Sequence, residues 1–188
     1  METARNQPEL RSQRLLLRPF VMQDADELFP LINDKEIAAN TRTIPYPYPE
    51  DGAAKWIETH ELLWSEGKSA IFAVCEIESG NLSALRGAIG LEIDAENEHA
   101  ELGYWIGRDF WNKGFCSEAC ASIVEFGFTD LALQRIHAHH LTRNPASGRV
   151  LENIGMKREG VLRKHIKKWG VFEDIAFFGI LREEWSRR

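Results

Sequence analysis

Apolar residues recur along the chain with two different periods, and the switches between them mark out the elements. Leu15, Leu16 and Leu17, fenced by Arg14 and Arg18 and stopped by Pro19, predict a short strand over residues 14–18. Asp24 followed three residues later by Glu27 has the spacing of a capping box, and opens a helix running to about residue 33. Three prolines alternate through residues 43–49 (TIPYPYP), so that stretch is an extended loop rather than a helix. Ala53, Trp56, Ile57, His60, Leu63 and Trp64 recur at three and four, which predicts one helix over 50–66 closed by Gly67. Residues 70–77, 88–93 and 99–106 have strand character and polar linkers, the pattern of an antiparallel meander. A helix over 117–131 comes next, its buried stripe being Cys120, Ile123, Val124, Gly127, Phe128 and Leu131. Residues 135–141 read as a strand, 146–154 as a short helix and 172–181 as a last apolar strand. This order predicts an α/β sheet with at least one strand–helix–strand crossover.

Composition narrows the field. With 188 residues and 44% apolar content the chain is expected to form one domain over its whole length, with a core spanning about residues 12–183. Residues 1–10 are polar and no run approaches a membrane span, so neither a leader nor membrane attachment is expected. Three cysteines suit a reducing, cytoplasmic setting better than a disulfide framework. A net charge of −6 argues against direct nucleic-acid binding. The charge is uneven: residues 143–188 hold 11 Lys/Arg against 6 Asp/Glu, while the remainder is acidic. A basic C-terminal quarter attracts an anionic ligand and an acidic remainder attracts a cationic one, although solvated surface alone gives the same count.

The most informative segment is a strand over 101–106 (ELGYWI), a turn holding Lys113 and Gly114, and a helix opening at once. Unpaired N–H groups and the positive dipole end at such a helix start make an anion site, and a pyrophosphate is the natural guest. Glycine also marks plain turns, so this feature alone leaves both readings open.

Two motifs decide between them. Trp111-Asn112-Lys113-Gly114-Phe115-Cys116-Ser117-Glu118-Ala119 resembles the cofactor loop of the GNAT acetyltransferase superfamily, in particular the branch of ribosomal-protein-alanine N-terminal acetyltransferases. Asn144-Pro145-Ala146-Ser147 with residues 150–156 (VLENIGM) resembles that branch's second motif, 30 residues downstream of Gly114. The likeness runs from about Leu15 to about Leu181, with Trp111, Phe115, Cys116 and Met156 as departures that keep size or apolar character.

The resemblance implies a mixed, mostly antiparallel α/β sheet of about seven strands flanked by helices and splayed, at a bulge, where acetyl-CoA binds. It implies acetyl-CoA as co-substrate and no metal. Backbone N–H groups of Lys113, Gly114, Phe115, Cys116 and Ser117 would hold the pyrophosphate. The strand end at Trp105 and Ile106 would pair with the pantetheine arm, the Ile106 N–H facing the thioester oxyanion. Asn144 would bond the pantetheine or the acetyl end, and Ser147 would protonate the departing thiolate. Glu101, where some superfamily members keep a catalytic glutamate, is the candidate base; orienting substrate, or no special role, are its alternatives.

Strand alternation puts Glu101, Gly103 and Trp105 on one face and Leu102, Tyr104 and Ile106 on the other. The carboxylate that some relatives carry after this point is missing, since residues 162–168 are rich in Arg, Lys and His. His137, His139 and His140 resemble a metal cluster, but His140 faces away from the other two. Cys116 and Cys120 read as small helix residues, Lys164, Lys167 and Lys168 as a solvated face or a contact to the coenzyme's 3′-phosphate or to an acidic partner. Asp174 supports the site or pairs structurally. The expectation is direct acetyl transfer, without an acetyl-enzyme, to an amine: a protein N-terminal α-amine first, a small amine, polyamine, amino acid or antibiotic second. A non-catalytic acetyl-CoA-binding module is a third reading, and the oligomer is a monomer or homodimer.

Overall fold

The computed structural model describes residues 6–78 and 81–185. The strands are β1 (Leu10–Arg11), β2 (Leu15–Arg18), β3 (Ser69–Glu78), β4 (Asn81–Asp94), β5 (His99–Ile106), β6 (Arg135–Leu141), β7 (Lys157–Lys168) and β8 (Val171–Leu181). The helices are α1 (Asp24–Ile32), α2 (Lys35–Asn40), α3 (Gly52–Glu58), α4 (His60–Ser65), α5 (Phe115–Thr129), α6 (Pro145–Asn153) and α7 (Arg182–Trp185). The strands form one eight-stranded sheet in the order β1-β2-β3-β4-β5-β6-β8-β7. All neighbours are antiparallel except β5 and β6, which are joined by the α5 crossover and run parallel.

Alternation along the strands divides the core in two. Phe72 and Val74 of β3, Leu91 of β4, Leu102 of β5 and Ile136 of β6 form a layer with Cys120, Ile123 and Val124 of α5. Gly127 lets α5 lie close, since a Cβ there would stand 2.7 Å from Ile136 Cδ1. On the opposite face Leu28 and Ile32 of α1 and Ala53 and Ile57 of α3 pack with Ala73, Cys75, Ala88 and Trp105.

Several expectations need correction. The sheet has eight strands, not about seven; β7 and the two-residue β1 carry no apolar alternation to announce them. β7 is an edge strand whose residues are nearly all exposed, and its Lys and Arg side chains suit an edge that must not pair with other chains. Its register breaks between Leu162 and Ile166, where the Lys164 N–H donates to Asp174 Oδ1 at 2.7 Å; Asp174 is thus an anchor for the irregularity. The helix expected over 50–66 is two, because Thr59 turns its hydroxyl (2.7 Å) and its N–H (3.2 Å) onto the Trp56 carbonyl. The capping box at Asp24 does not form. Its carboxylate instead accepts two 2.7 Å hydrogen bonds from Arg18 and one from the Val21 N–H, while Glu27 accepts from the Leu85 N–H.

His60 carries an unusual cost. It is 6% exposed, neither ring nitrogen has a partner, and the ring sits edge-on to Trp56 and Phe20. Burial pushes its pKa down to about 4. Between pH 6.5 and 4 the unfolded chain therefore binds a proton that the folded chain refuses, and stability falls as pH falls through that window. Urea unfolding should show His60 contributing a loss of roughly 2 kcal/mol between about pH 7 and about pH 4.5. His60→Leu should flatten that part of the profile; an unchanged profile would show the imidazole to be accessible to protons.

Candidate active site

β5 and β6 pair over only three residues, His99↔Arg135, Ala100↔Ile136 and Glu101↔His137, and then part. The β4–β5 ladder stays regular throughout, so the splay needs no bulge in β5. Its register decides which groups face the gap. Gly107 N–H donates to the Arg86 carbonyl, which makes Ala88–Trp105 a hydrogen-bonded pair and Gly87–Ile106 and Ile89–Tyr104 non-bonded pairs. Backbone groups of Tyr104 and Ile106 thus point away from β4 into the gap, whereas those of Trp105 are used by β4. The Ile106 carbonyl is taken by the Trp111 indole N–H at 2.6 Å, which leaves the Ile106 N–H.

The turn after β5 is shaped by left-handed residues, Asn112 at φ 61° and Gly114 at φ 82°. Helical bonding in α5 starts with Glu118 N–H onto the Gly114 carbonyl at 3.1 Å. The N–H groups of Phe115, Cys116 and Ser117 precede that bond, and no side chain caps them. Arg14 holds the turn from outside, donating to the Lys113 carbonyl at 2.9 Å. Glu118 accepts from Ser12 Oγ, Arg14 N–H and Arg14 Nε. Lys113 itself lies over the Phe110 ring. A cavity of about 310 Å³ is lined by Ile106, Gly114, Phe115, Cys116, Ser117 and Asn144 among others.

A second cavity, of about 460 Å³, lies against Arg42, Tyr48, Trp56, Glu101, His139 and Ile166. Asn40, Thr41, Tyr104, Trp105 and Ser147 line both, so the two meet where β5 and β6 part. At that junction Tyr104 Oη and Ser147 Oγ share a 2.7 Å hydrogen bond. Burial pushes the Tyr104 phenol well above its ordinary pKa, so it remains a neutral hydroxyl. Asn144 caps α6, its Oδ1 accepting the Ser147 N–H at 3.3 Å.

Glu101 meets three basic groups: His139 Nδ1 at 3.1 Å, His137 Nε2 at 3.9 Å and Arg42 Nη2 at 3.9 Å. The His139 contact, opposed by burial, holds the Glu101 carboxyl below its usual range. Burial outweighs Glu101 at His137 and lowers that imidazole's pKa.

Residues 14–157 match the family model described as an acetyltransferase (GNAT) domain. The chain belongs to the GNAT acetyltransferase family. It is 33% identical over 178 residues to N-acetyltransferase p20 of Bacillus licheniformis, covering 94% of this chain and 98% of that one. A GNAT-family acetyltransferase structure from Bacillus anthracis superposes with a TM-score of 0.82 at 26% identity, covering 94% and 100%. The fold is also that of RimL, a ribosomal L7/L12 α-N-protein acetyltransferase solved with coenzyme A, at a TM-score of 0.84 and 18% identity over 94% and 99% of the two chains. The protein is thus an acetyl-transferring enzyme with acetyl-CoA as donor. Among the described residues no helix is long and apolar enough to cross a membrane, no His, Cys, Asp and Glu group is arranged to hold a metal ion, and all three cysteines are free.

Most residues anticipated for the GNAT site converge on the two cavities: Ile106, Gly114, Phe115, Cys116, Ser117, Asn144 and Ser147 on the first, Glu101 on the second. Two do not behave as expected. Trp105 offers no backbone group to the gap, because strand parity assigns that edge to Tyr104 and Ile106. Lys113 contributes its carbonyl to Arg14 and stands outside the lining of the first cavity. Tyr104, Arg42 and His139 were not anticipated as site residues. Alternation already put Tyr104 on the face of Leu102 and Ile106, but nothing in the sequence showed that α6 would bring Ser147 onto it. Lys168 is not a solvated lysine: it is 8% exposed and donates to the Ile44 carbonyl at 2.8 Å and the Arg42 carbonyl at 3.4 Å.

Gly114→Ala tests the turn. An L side chain at φ 82° costs about 1–2 kcal/mol, and its Cβ would stand 3.2 Å from Arg14 Nη2. Calorimetric titration should show acetyl-CoA binding weakened about tenfold. Unchanged affinity would mean that the turn's shape is not what holds the coenzyme.

Proposed function

We propose that this enzyme transfers acetyl directly from acetyl-CoA to a protein N-terminal α-amine, with both substrates bound at once. The observation that carries this reading is the junction of the two cavities at Tyr104 and Ser147. One cavity offers an anion site and a free strand edge to the coenzyme; the other admits an amine from the opposite side. An acetyl group at the junction would then lie between them, with no nucleophilic side chain needed as a carrier.

In this reading the unpaired amides at the α5 start receive the pyrophosphate. The backbone of Tyr104 and Ile106 pairs with the amides of the pantetheine arm, and the Ile106 N–H stabilises the oxyanion of the tetrahedral intermediate. Asn144 has its amide nitrogen left to donate once its oxygen has capped α6. Ser147, steered by Tyr104, passes a proton to the departing thiolate.

Support for an α-amine comes from proton energetics. At pH 7 a protein α-amine gives up its proton at a cost of about 1 kcal/mol, a lysine-type amine at roughly 4.6. The carboxylate in this cavity is held ionised by basic neighbours, so the cavity lacks a strong base, which suits the less basic amine. The likeness of the two motifs to the ribosomal-protein branch points the same way. A small cationic amine is the second reading. It is favoured by Glu92 and Glu101, cross-strand partners that both line the acceptor cavity, and by Trp56 and Tyr48 beside them.

Thiol release measured over a panel of peptides and small amines separates the two. Peptides with free N-termini should be acetylated at least tenfold faster than N-terminally blocked peptides carrying lysine, and faster than diamines. The reverse order would transfer the proposal to small amines. Ser147→Ala should lower kcat about tenfold with acetyl-CoA affinity unchanged; an undiminished kcat would remove Ser147 from the proton path.

A further inference from the structure

The acceptor cavity holds a second basic group that its carboxylate alone does not explain. His139 lines the cavity, its side chain 12% exposed, with Nδ1 buried and 3.1 Å from Glu101 Oε1, an ion-pair distance at which the two are not yet aligned as a hydrogen bond, and its ring tilted over Phe177 at 5.6 Å. Nε2 has no protein partner among the described residues. The parallel register fixes this arrangement: Glu101 lies opposite His137, and β6 alternation brings His139, two residues on, to the same face just where the strands part.

We propose that His139 takes the proton from the acceptor amine through Nε2, and that Glu101 is the positioning residue that holds the Nδ1–H tautomer and balances the imidazolium. The inference rests on the acetyl-transfer reading and replaces Glu101 as the base. A neutral imidazole has an intrinsic pKa of ~6.5, close to the working pH, whereas a paired carboxylate lies far below it. A carboxylate at one ring nitrogen sets the tautomer and leaves the other nitrogen to accept a proton.

The proton balance closes. The acceptor ammonium gives one proton to His139 Nε2, and the freed lone pair attacks the thioester carbon. The C–S bond breaks as the intermediate collapses. A second nitrogen proton reaches the thiolate by way of Ser147, the amide keeps the third, and His139 returns its proton to water.

Of the charged and titratable groups that share the cavity with His139, β4 contributes Glu92, cross-strand from Glu101, and β6 contributes His140. β5 contributes Glu101, and β6 itself contributes His137, beyond which His99 stacks. The segment after α2 contributes Arg42, whose carbonyl is held by Lys168 of β7. β8 presents the apolar Phe177, with His165 of β7 on its far side. Glu101 is the anion of this set that reaches the His139 ring.

Two measurements on the full chain test the proposal. In the pH dependence of kcat/KM, the wild type should show an acidic limb, and His139→Gln should lose that limb together with about 10²-fold of kcat, acetyl-CoA affinity staying within threefold. Glu101→Gln should keep the limb, with a smaller loss of kcat. A limb that survives His139→Gln and vanishes in Glu101→Gln would overturn the proposal and return the base to Glu101. Independently of turnover, ring-nitrogen NMR assigned with His139→Gln should show the neutral Nδ1–H tautomer; the Nε2–H tautomer would overturn it. Absence of thiol release over the whole amine panel would instead sink the acetyl-transfer reading, and the tautomer would still decide the role of Glu101.

Discussion

The separation of β5 from β6 after three paired residues governs the rest of the molecule. A parallel pair that continued would bury its backbone groups in a ladder and leave no internal edge. Here the ladder stops at Glu101↔His137, and beyond that point β5 is bonded to β4 on one side and open on the other. The same divergence admits α6 from one face, bringing Ser147 to Tyr104, and opens the acceptor cavity on the other. Both halves of the site therefore derive from one interruption in the hydrogen bonding of the sheet.

An open seam inside a sheet has to be braced from outside. On the coenzyme side the brace is Glu118, one carboxylate that gathers Ser12, the Arg14 amide and the Arg14 guanidinium and so ties the start of α5 to the N-terminal strands. On the acceptor side Arg143 reaches the Ala39 carbonyl and Glu173, and Lys168 holds the Arg42 and Ile44 carbonyls. Most of these contacts join segments far apart in sequence, and they fix loops that their own composition leaves undetermined. Phe110 and Trp111 add stiffness locally, Trp111 by closing the Ile106 carbonyl.

What the sequence made legible was local. The periods of two and 3.6 placed β5, β6, α5 and α6 within a residue or two, and the turn glycine marked the start of α5. Strand order and register were not legible, and the misjudged residues are those that depend on them. Trp105 was taken for a free edge because parity against β4 is invisible until Gly107 is seen bonded to Arg86. His137 and His139 were rightly set aside as a metal site, but their real neighbour, Glu101, belongs to the preceding strand and is brought beside them only by the α5 crossover. β7 escaped notice because an exposed, charged edge strand has no apolar rhythm.

Lys168 has a consequence of its own. Its carbonyl partners, Arg42 and Ile44, both line the larger cavity. Burial, reinforced by Arg143, lowers the Lys168 pKa and so makes its uncharged form easier to reach. Its head group donates to two carbonyl oxygens and is largely shielded from solvent. The contact that fastens the loop therefore keeps an ammonium group in a poorly solvated place at the rim of the cavity, where two carbonyl dipoles stand in for the missing water.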